Sequence, residues 1–135
     1  MVNVTLIDQR VTEASVSFHP KKMGRLDIRS EYAVHTGFAS DLSAATATVA
    51  ITMEDTAGGQ FRLRVVTQGN FTVQDIRSET DRKAANTKCF EELFPYAEGY
   101  IRQVADMAGA KGLNVPKPEF TFDDIQAFEP AKITS

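Results

Sequence analysis

The chain has 135 residues, fifteen Lys or Arg against eighteen Asp or Glu for a formal net charge of -3, and one cysteine, Cys89. That length suits a single domain with its own core, and a lone cysteine excludes both an intramolecular disulfide framework and a cysteine-rich zinc site. No apolar run reaches the roughly eighteen residues of a membrane span, Met1 to Asp8 lack a signal-peptide pattern, and dispersed charge argues against nucleic acid as the main partner; the expected setting is reducing and cytoplasmic.

In chain order, Ala14, Val16 and Phe18 share one face of a first strand, which His19-Pro20-Lys21-Lys22 interrupts. Leu26, Ile28, Tyr32 and Val34 then alternate with Arg25, Asp27, Arg29 and Glu31, the pattern of a strand with one buried and one wet face. Ala45, Ala47, Val49, Ile51 and Met53 interleave with Thr46, Thr48, Thr52 and Glu54 in the same way. Asp55-Thr56-Ala57-Gly58-Gly59 supplies the glycines of a reversal, and Phe61, Leu63 and Val65 restart the alternation, so a hairpin is expected. Gln68-Gly69-Asn70 interrupts this strand before Phe71 and Val73 resume it, predicting a bulge or bend at Gly69. The sum is four antiparallel strands.

After Ser78 the period changes. Phe90, Leu93, Phe94, Ala97, Ile101, Val104, Ala105 and Ala108 recur at spacings of three and four, a helical stripe. Pro95 lacks the backbone donor of a helix interior, so the main helix is expected to begin near Leu93 or to kink there. Gly109 and Gly112 offer stops, the stretch Leu113 to Pro118 is expected to run extended, and Asp123 to Phe128 fits one or two helical turns. The predicted fold class is α+β: a single domain over 1-135, with a four-stranded antiparallel sheet packed with one long helix and a short C-terminal helix.

A catalytic or metal-binding set is not evident. His19 and His35 have no second ligand at zinc-motif spacing, and Gly58-Gly59 lacks the continuation of a phosphate cradle. Adjacent carboxylates, Glu91-Glu92 and Asp123-Asp124, point about 100° apart on a helix and do not converge on a substrate. Arg62 and Arg64 lie on the opposite parity to Phe61 and Leu63 and read as a solvated strand face. The expectation is no enzyme activity, no metal and no cofactor. Aromatic residues crowd the last third: Phe90, Phe94, Tyr96, Tyr100, Phe120, Phe122 and Phe128. Tyr96 and Tyr100 sit one turn apart on a different helical face from Phe94 and Ile101, and two apolar faces on one helix point to a partner.

Three segments in this order, Gln68-Gly69-Asn70-Phe71, Leu93-Phe94-Pro95-Tyr96-Ala97 and Leu113-Asn114-Val115-Pro116-Lys117-Pro118-Glu119-Phe120, resemble the SecB export chaperones, most strongly from Gln68 to Phe122. The resemblance implies an ATP-independent holdase that binds unfolded or non-native polypeptide in an apolar groove and serves protein export. It implies a homo-oligomer, a dimer or dimer of dimers, and the SecA translocation motor as a further partner. The peptide-binding residues it implies are Phe94 and Tyr96 on the long helix, Val115, Pro116, Phe120 and Phe122 on the loop, and Ile125 and Phe128 at the second helix. Departures from the family pattern, a chain ending soon after Phe128 and a polar Ser78 to Asn86, make tail-mediated SecA docking doubtful. They also keep open a SecB-fold protein with one dedicated partner, such as a toxin-antitoxin-type chaperone.

Overall fold

The structure, a computed structural model, describes residues 2-20, 26-56, 59-110, 113 and 115. Its elements are β1 (Asn3–Phe18), β2 (Ile28–Phe38), β3 (Ala44–Asp55), β4 (Phe61–Gln74) and α1 (Glu79–Met107). The strands form one antiparallel sheet in the order β1-β4-β3-β2, and α1 packs across one face. The expected α+β architecture of four strands and a long helix is therefore present. The expected short C-terminal helix, and the glycines at 58 and 112, lie outside the described residues.

Alternation decides which face is covered. Odd residues of β3 and β4, from Ala45 to Met53 and from Phe61 to Val73, are all buried, Gly69 included. Their even neighbours carry the outer face, where Arg29 pairs with Glu54 and Arg64 Nε donates to Glu13 Oε2 at 2.8 Å. This is the solvated arginine face expected for Arg62 and Arg64. The β3-β4 reversal is fixed by Asp55, whose Oδ1 accepts from the Gln60 and Phe61 N–H groups at 3.2 and 3.0 Å, while Gly59 takes a φ of +92°.

Gly69 corrects one expectation. β4 runs unbroken through it, paired with Ala47 on one side and Gln9 on the other, with no bulge in β4. The residue is small because the helix comes close: a Cβ at 69 would stand 2.8 Å from Leu93 Cδ1 and 3.1 Å from Leu6 Cδ1. The irregularities fall instead on β1, between Leu6 and Asp8 and between Val11 and Glu13. Each shifts the parity, so the residues opposite the buried row of β4 are Val4 and Leu6, then Gln9 and Val11, then Ala14, Val16 and Phe18.

The helix also begins earlier than Leu93. Ser78 is its N-cap, accepting from the Asp81 N–H at 3.2 Å, while Asp81 reaches back to accept from the Arg77 N–H at 2.9 Å. Glu79 and Asp81 suit the positive end of the helix dipole, so the polar stretch after Ser78 is the first turns of α1. Pro95 lies inside the helix and has no N–H for the Glu91 carbonyl. Pro95 and Glu91 are both exposed, which leaves that carbonyl to water. At the far end Gly109 takes a φ of +87°, and bonds from Ala110 N to Ala105 O and from Gly109 N to Asp106 O close a Schellman cap. The stop expected at Gly109 is where α1 ends.

Candidate peptide-binding surface

α1 has two flanks, and the sheet treats them differently. Toward β2, the Phe94 ring lies 6.5 Å from that of Tyr32, centroid to centroid. Burial raises the pKa of the Tyr32 hydroxyl, with Glu98 adding to the shift. Toward β1, the Tyr100 hydroxyl donates to Gln9 Oε1. Tyr96, one turn before Tyr100 on the same flank, is 45% exposed, and Met107, seven residues beyond Tyr100, is 86% exposed. On β1 itself Ile7 is 62% and Val11 37% exposed.

Of the expected peptide-binding residues, Phe94, Tyr96 and Val115 lie among the described ones. Phe94 and Val115 are each 3% exposed and belong to the core, so Tyr96 alone of the three offers surface in this conformation. Pro116, Phe120, Phe122, Ile125 and Phe128 lie outside the described residues. The sequence reading missed Ile7, Val11 and Met107. For the two β1 residues the usable signal was a break in alternation between Leu6 and Glu13, which marks bulges rather than the absence of a strand.

The remaining groups offer little chemistry. Among the described residues no three His, Cys, Asp or Glu side chains come together to hold a metal ion. Cys89 is buried, and burial together with Glu92 pushes its thiol up to about 12, so it stays protonated and unreactive at neutral pH. Glu91 and Glu92 both point to solvent. Among the described residues no helix is long and apolar enough to cross a membrane.

Neither the protein-family models nor the curated proteins contain a match to this chain. Among solved structures, the Mycobacterium tuberculosis SecB-like chaperone Rv1957, in complex with a ChAD peptide from the antitoxin HigA1 (Rv1956), is similar to it at a TM-score of 0.71 and 15% sequence identity. The match covers 85% of this chain and 90% of that one. The order of four strands followed by a long capped helix is thus a SecB-like fold, carried here by a sequence only 15% identical to that chaperone.

Proposed function

We propose that this protein is a chaperone-type binding protein that holds extended or non-native polypeptide without ATP. The observation that carries the reading is the SecB-like fold shared, over 85% of this chain, with a chaperone in complex with a peptide. The exposed Tyr96 supports it, since a ring with a polar tip contributes contact area at low entropic cost. Pro116, Phe120, Phe122, Ile125 and Phe128 complete the proposed contact set, while Phe94 and Val115 belong to the core. The reading extends to a homo-oligomer in the cytoplasm and to service in protein export, with SecA as a partner. The test is suppression of aggregation of a denatured client in the absence of nucleotide; no suppression at several-fold excess would sink the proposal.

A second reading has its own support. The similar chaperone holds a segment of an antitoxin, which favours one dedicated partner over many clients. Competition decides between them: a dedicated binder takes up one peptide at one-to-one stoichiometry and ignores unrelated denatured clients, whereas a general holdase is displaced by any of them.

A further inference from the structure

The flanks of α1 differ in how they are held as well as in exposure. The helix lies closest to β4 and β1. Toward β2 the contacts come from long side chains: the Phe94 ring meets that of Tyr32 at 6.5 Å, and the Arg82 guanidinium stands 5.3 Å from the centre of the Phe38 ring. β2 itself pairs with β3 on one side and with no described strand on the other. These contacts fix a register. Residues 82, 86, 90 and 94 repeat every four positions along one flank of the helix, and Tyr32, Val34, Thr36 and Phe38 share the inner face of β2. From 94 back to 82 the helix covers about 18 Å, and from 32 to 38 the strand covers about 20 Å beside it. Phe90 therefore falls level with Val34, and Asn86 level with Thr36.

The first of these levels is apolar, with Phe90 and Val34 both fully buried. The second is polar and unsatisfied. Thr36 is 4% exposed, Asn86 is half-buried with its Oδ1 enclosed, and neither Thr36 Oγ1 nor Asn86 Oδ1 has a hydrogen-bond partner among the described residues. An enclosed polar atom without a partner forfeits the bonds that water gave it, which weighs about tenfold against the conformation that encloses it. Lifting β2 and this flank of the helix apart returns both atoms to water, and an edge strand held by one neighbour and a few side chains gives way before the centre of the sheet. Thr67 Oγ1 is enclosed and unpartnered too, but β4 is paired on both sides beneath the helix, so local movement of β2 does not relieve it. We infer that the α1–β2 flank is a local closure that opens ahead of the rest of the fold, with the unpaired Thr36 hydroxyl and Asn86 carbonyl setting how often it does so. Opening uncovers Phe94 and Phe90 beside the β2 edge, so that a ring hidden in the closed chain becomes available to an extended polypeptide. That consequence rests on the chaperone reading above, whereas the opening itself does not.

Amide hydrogen exchange of the full chain, followed by NMR, tests the opening. In wild type the β2 amides that bond to β3 are expected to exchange at least about tenfold faster than those of β4, and equal protection overturns the proposal. Thr36→Val keeps the shape and removes the hydroxyl, so it should slow exchange of those β2 amides about tenfold. Adding Asn86→Leu should slow it further. Faster exchange in Thr36→Val, or a variant that fails to fold, would mean that the hydroxyl is bonded in the closed chain and overturns the proposal as well. Thr67→Val is the internal control: Thr67 stays enclosed when the flank opens, so this variant should slow β4 and leave β2 unchanged. If it slows both alike, β2 opens only with the whole fold and the local closure is ruled out. The consequence for binding is read with a reduced, carboxymethylated protein that cannot refold. The Thr36→Val, Asn86→Leu chain is expected to bind it about tenfold more weakly than wild type, because its open state is rarer; equal binding removes the opening from client capture. Should wild type hold no such probe while its exchange follows the expected pattern, the chaperone reading falls and the closure stands.

Discussion

The two flanks of α1 carry aromatic residues only two positions apart in sequence, yet they do opposite work. Phe94 turns toward β2 and is sealed against Tyr32, whereas Tyr96 turns away from the core and stays half in water. The lesson is that aromatic content alone does not locate an exposed surface; a rotation of about 200° over two helical residues separates core from solvent. The sharpest break in the comparison comes from truncating each ring. Phe94→Ala is expected to cost about 3–5 kcal/mol through lost burial and the cavity left behind. Tyr96→Ala should lie within about 1 kcal/mol of wild type and reduce client binding instead. Urea denaturation of the pair measures both, and equal losses would erase the distinction between the flanks.

Gly69 tests whether the closeness of helix to sheet sets the closed flank. A methyl at 69 meets Leu93, Leu6 and Phe71 at 2.8, 3.1 and 3.2 Å, two of them the ends of branched chains that can move slightly. Gly69→Ala is therefore expected to cost about 1–3 kcal/mol as overpacking. Gly37→Ala, with nothing near its added methyl, should be close to neutral. If the two substitutions behave alike, the small residue at 69 is not there to admit Leu93.

The thiol inside the buried stripe gives a smaller effect with a definite sign. Cys89 titrates at about 12 in the folded chain, against about 8.5 to 9 when unfolded. Below pH 8 both states hold the proton and stability is indifferent to it. As pH rises from about 9 toward 12 the unfolded ensemble ionises first, and stability falls. Cys89→Ala should flatten that alkaline decline relative to wild type, and an unchanged slope would mean that the thiol is open to water.

Much of this architecture was legible because burial leaves a period behind. The period-two runs from Leu26 to Val34 and from Ala45 to Met53 became β2 and β3, and the switch after Ser78 marked the helix. Two devices hid the rest. Parity slips at Ile7 and Thr12 scrambled β1, because a bulge moves the following residues to the other face. Pro95 drew the helix start toward Leu93, although the cap at Ser78 and Asp81 was present in the sequence and is the stronger start signal. The exposed surface was less legible still, since periodicity marks a helical stripe without saying whether a sheet already covers it, and Phe94 is covered.

The smallest expected effect concerns the open flank. Tyr100→Phe keeps the ring and removes only the hydroxyl that holds Gln9 Oε1. Both groups are half-exposed, so water can replace the lost donor, and the stability change should not exceed about 1 kcal/mol. A double-mutant cycle with Gln9→Ala isolates the contact and is expected to show a coupling of about 0.5 kcal/mol. Its value lies in what it ties together: the contact joins the open flank of the helix to the edge strand β1. A coupling near zero would mean that water replaces the hydroxyl in full, whereas the expected value would assign Tyr100 to positioning the helix on its own sheet.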